Sequence, residues 1–359
     1  MIPTLAVLGA AICAFLAAIL VAKRPFRAPD GALLAWLAAQ GGTFAVVAMA
    51  SAWPALWPLV FLSLGQILTF SLGPAQLVYA RAAAGEPLRL PMQGLALVVV
   101  AGLLALMPLL VNFEAREGAI IVTRPPLWII LMPPLALIVS AAWPVRVLQI
   151  AGRLRRRAKD RYSNLAPVDP GWVRIWAISS LIVLAVSLLA YGNSFVVILP
   201  LGLHVSLLLV FQILQVVYVA HRGLTRPGIF LSSPAKPGPE IDRDAAKADF
   251  EAVLAHLAAE RPHLDPDLAA PQLADALGWA PERLTLAFRA GGGTSFHDAI
   301  LRARIDEMAR LARDPVNARV TTLALGFDAG FGSKSAMYDA FRRELDISPA
   351  AWRREIAQS

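Results

Sequence analysis

Charged residues divide the first 220 positions into five uncharged runs, at 2–22, 31–80, 90–113, 125–145 and 175–220. A bilayer core takes about 20 apolar residues per helix, so three runs have the length of one span and two the length of a pair. The pattern predicts seven transmembrane helices. The paired runs are expected to fold back at Ser51, Trp53 and Pro54 and at Tyr191, Gly192 and Asn193, where backbone-breaking residues gather.

Past position 220 the pattern changes. Residues 221–241 carry Pro227, Gly228, Ser232, Ser233, Pro234, Pro237, Gly238 and Pro239, the composition of an extended tether. In 242–262, Ala246, Phe250, Val253, Leu254 and Leu257 recur at three and four, which predicts an amphipathic helix. Packing on the following domain is favoured over pairing with a second copy.

From 263 to 359 the predicted helices are short and closely punctuated. Pro271 opens one through Leu277, Gly278 ends it, and Pro281 starts another that stops at Gly291, Gly292 and Gly293. Two short helices around a Gly-containing turn form a helix-turn-helix pattern. Ser295 and Asp298 make an S-x-x-D start for a helix from Phe296 to about Arg313, with Phe296, Ile300, Ala303 and Met308 facing inward. A second pair follows, 320–329 and 333–345, turning at Gly330, Phe331 and Gly332; Ser348 and Pro349 open a last helix carrying Trp352. The predicted fold class is all-α: a seven-helix transmembrane domain (1–220), a linker (221–241), an amphipathic helix (242–262) and a cytoplasmic domain with two helix-turn-helix units (263–359).

Composition agrees with this division. The chain is 57% hydrophobic and 16% charged, against about 25% charged in ordinary globular proteins, which excludes an ordinary soluble protein. One cysteine, Cys13, provides neither a disulfide framework nor a thiolate metal cluster. Residues 1–240 hold 18 Lys/Arg against 7 Asp/Glu, while 241–359 hold 15 against 18.

The basic residues also predict orientation, because cytoplasmic loops keep the Lys/Arg excess. One set of loops carries Lys23, Arg24 and Arg27, then Arg81 and Arg89, then Arg153, Arg155, Arg156, Arg157, Lys159 and Arg161; the alternate set carries only Arg116 and Arg124. The N-terminus is expected outside the inner membrane and the C-terminal domain in the cytoplasm. The cluster at 153–161 reads first as topology and anionic-lipid contact, with nucleic acid a distant second. Positive charges follow the first apolar run instead of preceding it, so that run is expected to remain as an anchor.

Little in the membrane half suggests chemistry. No uncharged run contains a lysine, which excludes a retinal-type Schiff base, and Arg146 and Arg174 lie at span margins instead of mid-membrane, where ion-coupled transport places its charges. Gln66, Thr69 and Gln76 on one span, and His204, Gln212 and Gln215 on the last, recur at helical spacing. They are candidates for a cavity that receives a small-molecule or membrane signal; interhelical hydrogen bonding explains the same spacing and is favoured. His204 has no second His, Cys or acid near it in sequence, so no metal site is expected. The chain has no Walker loop, H-E-x-x-H or G-x-S-x-G, and neither enzymatic activity nor a cofactor is expected.

The C-terminal residues carry a family likeness. Thr294, Ser295 and Phe296; Arg302, Ala303, Arg304 and Ile305; Ala329 through Ser335; Ala340, Phe341, Arg342 and Arg343; and Ile347 through Arg353 together resemble the AraC/XylS-type transcription regulators. The likeness covers about residues 263–359 and extends to membrane-anchored members that join several spans to this domain. It implies a bacterial-type, sequence-specific DNA-binding regulator coupling a membrane or extracytoplasmic signal to a promoter, with double-stranded DNA and membrane lipid as partners. The alternative is a membrane sensor or adaptor whose helical domain binds a protein.

By this resemblance the first recognition helix presents Glu282, Thr285 and Arg289, and the second Ser333, Lys334, Ser335, Tyr338, Asp339 and Arg342. Lys334, Arg342 and Arg343 are candidates for phosphates, and Thr285, Ser335 and Tyr338 for base edges. Phe288, Phe331, Phe341 and Trp352 are expected in the core, and Arg304 either at phosphate or in a buried pairing. A connecting helix of about 17 residues is about 25 Å long, suited to holding two recognition helices near one duplex turn, ~34 Å, apart. The sequence departs from the family pattern at Leu286, Gly326, Asp339 and Asp346. From Pro271 onward 12 Lys/Arg face 11 Asp/Glu, a weak basic footprint that homodimerisation or crowding in the membrane plane would supplement.

Overall fold

The computed structural model describes residues 1–53, 64–86, 113–116, 119–122, 127–165, 170–193, 201–225 and 242–356. The chain divides into two compact units, one of Met1–Leu154 with Pro170–Ser232 and one of Arg155–Asp169 with Ser233–Ser359.

The first unit contains α1 (Ile2–Ala22), α2 (Ala28–Ala52), α3 (Gln66–Ala83), α4 (Leu127–Ser140), most of α5 (Ala142–Arg161), α6 (Gly171–Asn193) and α7 (Leu201–Thr225). Strands β1 (Phe113–Arg116) and β2 (Ala119–Val122) pair antiparallel, and the other named elements among the described residues are helical. Helix α1 packs on α2 and α7, α2 on α3, and α6 on α4 and α7. Small residues permit the close approaches: a Cβ at Gly9 would lie 2.8 Å from the Phe44 ring, and one at Gly73 2.9 Å from Trp143. Between α1 and α2, Asp30 is buried, accepting from Lys23 Nζ at 2.6 Å and from the Arg27 amide at 2.9 Å.

Among the described residues five helices are long and apolar enough to cross a bilayer: Ile2–Ala22, Ala28–Ala52, Pro134–Arg161, Gly171–Gly192 and Leu203–Thr225. Their outer faces stay apolar, with Phe15 66% and Leu189 71% exposed, surface that lipid covers at no cost and water does not. The expected count of seven is not reached within these residues. Helix α3 carries Gln66, Thr69, Gln76 and Arg81 and falls outside the five, and most of the run at 90–113 lies outside the described residues. Helix α2 ends at Ala52 and α6 at Asn193, at both expected breaks.

Two boundaries differ from the sequence reading. The span expected at 125–145 continues as helix to Arg161, because Val147, Ile150, Ala151, Leu154 and Ala158 form a buried stripe at three and four. Its end, with the residues up to Asp169, belongs to the second unit, so the membrane unit is not the unbroken 1–220 expected. The linker expected to begin at His221 is helical through Thr225, whose hydroxyl donates to the His221 carbonyl at 2.7 Å; residues 226–241 lie outside the described residues.

The second unit holds α8 (Arg243–Glu260), α9 (Ala270–Ala276), α10 (Pro281–Leu286), α11 (Phe296–Arg313), α12 (Thr322–Asp328), α13 (Lys334–Leu345) and α14 (Pro349–Ile356). Side-chain caps fix the starts. Asp242 accepts from the Asp244 and Ala245 amides, Ser295 from Asp298, Thr321 from Ala324 and Ser333 from Ala336, each cap worth about 1 kcal/mol.

Two apolar cores form on α11. Phe296 and Ile300 join Val253, Leu257, Leu273, Leu284 and Phe288 in the first, while Leu301, Ile305 and Met308 join Leu325, Phe331, Met337, Phe341 and Trp352 in the second. Each buried large side chain contributes about 1.5–3 kcal/mol. The amphipathic helix α8 packs on the π-helical turn Ala287–Gly291 that continues α10. A Cβ at Gly291 would lie 2.0 Å from the Ala246 carbonyl oxygen, so this approach requires glycine. Of its predicted stripe, Leu254 is 46% exposed.

Candidate nucleic-acid interface

Helix α13 presents one open face. Met337, Ala340 and Phe341 are buried in the second core, which turns Lys334, Ser335, Tyr338, Asp339 and Arg342 outward. These five expected contact residues are therefore together on a solvated stripe. The Lys334 ammonium lies 5.5 Å from the centre of the Tyr338 ring, while Arg342 has no ion-pair partner among the described residues. Ser333 is committed to capping, its Oγ accepting from the Ala336 amide at 3.1 Å. Arg343 turns towards α11, with Asp298 at 3.0 Å and Glu344 at 3.3 Å.

On the first helix pair Glu282 is exposed beside Pro281, and the Thr285 hydroxyl donates back to the Pro281 carbonyl at 2.9 Å. Arg289 is exposed at the end of the same face and forms a two-point ion pair with Asp160, Nε to Oδ1 at 3.1 Å and a second contact from its other nitrogen to Oδ2. Asp160 strengthens the Arg289 charge, raising its pKa. Arg283, on the opposite side, pairs with Asp249 and stacks over Trp279 at 4.2 Å.

The partner of Arg289 exposes a component that sequence reasoning missed. The segment from Arg155 to Asn164 is built into the helix-turn-helix unit. Lys159 reaches Asp298 at 3.1 Å, Tyr162 forms a β-bridge with Ala269, and the Ser163 amide and hydroxyl both donate to the Leu268 carbonyl, at 3.2 and 2.6 Å. The Ser163 carbonyl accepts from His297 Nδ1, and its hydroxyl accepts from Arg304 at 3.2 Å. No periodicity announces such a long-range contact, and the arginine run draws attention to topology instead.

Arg304 resolves to the buried pairing. It is 2% exposed, donating from Nε to the His263 carbonyl at 2.8 Å and from its terminal nitrogen to the Asp265 carbonyl at 2.7 Å. Burial lowers its pKa to about 10. Asp298 would be raised by burial, but the Ser295 hydroxyl, Lys159 and Arg343 outweigh this and hold it below the usual carboxylate range. Phe288, Phe331, Phe341 and Trp352 lie in the cores as expected.

The polar candidates of the first unit are occupied with one another. Gln76 and Gln215 both donate to Ser180 at 3.3 Å, Gln215 also to Ser179 at 2.6 Å, and Gln212 accepts from Gln40 at 3.3 Å. This is the interhelical bonding that competed with the cavity reading. His204 Nδ1 is buried and unpartnered among the described residues, Thr69 is exposed, and the Gln66 side chain lies outside them.

Two of the four departures, Asp346 and Gly326, have local explanations. Asp346 has φ 56°, the left-handed backbone that explains the family's usual glycine and that Asp tolerates better than most residues. A Cβ at Gly326 would lie 2.4 Å from Met337 Sδ, so this glycine makes room for the methionine.

Residues 273–355, a C-terminal segment, match the family described as "Helix-turn-helix domain", of the AraC type. No curated protein and no solved structure matches the chain.

Proposed function

We propose that this chain is a membrane-anchored, sequence-specific transcription regulator in which the two helix-turn-helix units read an operator in double-stranded DNA. The observation that carries the reading is the exposed stripe of α13, with Lys334 and Arg342 as phosphate donors flanking Ser335 and Tyr338 as base-edge donors, inside an AraC-type domain. Each unit would enter one of two successive major grooves, with α11 holding their separation.

The bias of Lys and Arg towards alternate loops supports an inner-membrane location with the N-terminus outside and the C-terminal domain in the cytoplasm. The apolar helices anchor the domain and couple it to a membrane or extracytoplasmic signal. Near-neutral charge past Pro271 favours action as a homodimer or in membrane clusters, where effective concentration makes up for weak monomer binding.

Selection of genomic fragments on the full-length protein in lipid nanodiscs tests this. One or a few related sequences are expected to enrich, and Lys334→Glu with Arg342→Glu is expected to abolish enrichment while retaining the domain's helicity. Failure to enrich any sequence, or enrichment indifferent to the double reversal, overturns the reading in favour of a protein-binding adaptor.

A further inference from the structure

The second unit taken whole is neutral, but its cations are unevenly placed along the chain. Residues 233–359 hold 16 Lys/Arg against 19 Asp/Glu, while 155–169 bring Arg155, Arg156, Arg157, Lys159 and Arg161 against Asp160 and Asp169. The cations are not all consumed in holding the segment in place. Lys159 and Asp160 make the contacts to Asp298 and Arg289, whereas Arg155 and Arg156 are exposed, and neither they nor Arg157 have an ion-pair partner among the described residues.

Helical spacing then fixes where they lie. Arg156 and Arg157 are one turn before Asp160 and continue the side of α5 that meets Arg289, while Arg155 is one turn before Lys159 and continues the side that meets Asp298. Arg289 shares a helical face with Glu282 and Thr285 across α10 and its π-helical turn. The helix end that carries these three guanidinium groups is thus attached beside the expected reading face of the first helix-turn-helix unit, held by two ion pairs, the Tyr162–Ala269 bridge and the buried Ser163.

We propose that Arg155, Arg156 and Arg157 form a third DNA-contacting element, a phosphate-binding helix end that flanks the first recognition helix. Its ligand is the sugar-phosphate backbone of duplex DNA next to the groove that α10 enters. Guanidinium groups suit this role because they donate two parallel hydrogen bonds to phosphate oxygens. The element supplies position and affinity without sequence preference. It rests on the DNA-binding reading above. Anionic lipid headgroups offer the same phosphate chemistry, but the attachment of Lys159, Asp160 and Ser163 to the helix-turn-helix unit favours DNA.

The test is the salt dependence of binding by the full-length protein in nanodiscs of neutral phosphatidylcholine, with a mixed-sequence duplex several helical turns long as probe. Replacing Arg155, Arg156 and Arg157 together by Gln is expected to lower the magnitude of the log–log salt slope by about 2 to 3, since each phosphate contact contributes about 0.9. The triple Lys replacement, which keeps charge and membrane orientation, is expected to restore the slope. An unchanged slope in the Gln variant, with wild-type binding intact, overturns this proposal alone. So does an effect present only in discs containing phosphatidylglycerol, which assigns the arginines to lipid. Absence of duplex binding by the wild-type protein at any salt concentration overturns the DNA-binding reading and this proposal with it.

Discussion

His297 Nδ1 lies 2.7 Å from the carbonyl oxygen of Ser163, a residue 134 positions earlier in the chain. A carbonyl only accepts, so Nδ1 carries the proton. Burial pushes its pKa from the ordinary 6.5 down to about 4. The first turn of α11 is therefore bonded through an imidazole to the segment between α5 and α6.

This pairing sets a pH dependence. The folded pKa is depressed, so protons bind the unfolded ring first; the stability it contributes is full above pH ~6.5 and falls by about 1.4 kcal/mol per pH unit as pH drops towards 4. The protection factors of the α11 amides in the full-length protein, measured relative to intrinsic exchange at each pH, are expected to fall between pH 6.5 and 4.5. His297→Asn is expected to flatten that dependence, and an equally steep curve in the variant would assign it to another group.

Arg304 should be among the least replaceable residues of the second unit. Arg304→Met leaves the carbonyls of His263 and Asp265 and the Ser163 hydroxyl without this donor, at a cost of about 3 kcal/mol. Denaturant unfolding followed by fluorescence of Trp352 and Trp279 measures it. A loss below about 1 kcal/mol would show that water replaces the guanidinium.

Asp346 offers a change in the other direction. With φ at 56°, Asp346→Gly is expected to relieve left-handed backbone strain and stabilise α13 by up to about 1 kcal/mol, raising the thermal midpoint without altering DNA binding. Gly291→Ala is the counterpart: its Cβ would meet the Ala246 carbonyl, so α8 is expected to detach from the Ala287–Gly291 turn, with increased proteolysis within 243–260.

On α13 the two kinds of contact should separate experimentally. Arg342→Ala is expected to weaken binding similarly on selected and mixed-sequence duplexes and to reduce the salt slope by about 0.9. Ser335→Ala is expected to cost about 1 to 3 kcal/mol on the selected operator alone, leaving mixed-sequence binding and the salt slope unchanged.

The helical punctuation of the C-terminal part was legible because it is local. Pro281, Gly278 and Ser295 act within one turn of where they stand, and the helices they delimit lie within a few residues of their expected positions. The inward positions of Phe296, Ile300 and Met308 followed from spacing alone, whereas Ala303, expected with them, is only half-buried. The attachment of residues 155–164 was hidden for the opposite reason, because Ser163, His297 and Arg304 are far apart in sequence and belong to no shared period. The stripe Val147, Ile150, Ala151, Leu154 and Ala158 did signal that α5 continues, but the arginines interleaved with it made the segment read as a loop. On α13 the open stripe was foreseeable, whereas the commitment of Ser333 to a cap and of Arg343 to Asp298 needed side-chain geometry.

The two apolar cores have α11 in common, with Phe296 and Ile300 in one and Ile305 and Met308 in the other. Such a shared beam acts as a ruler of fixed length. A target with one base pair inserted between its two contacted grooves would turn the second groove by about 35°, and this protein would have little bending freedom with which to follow it.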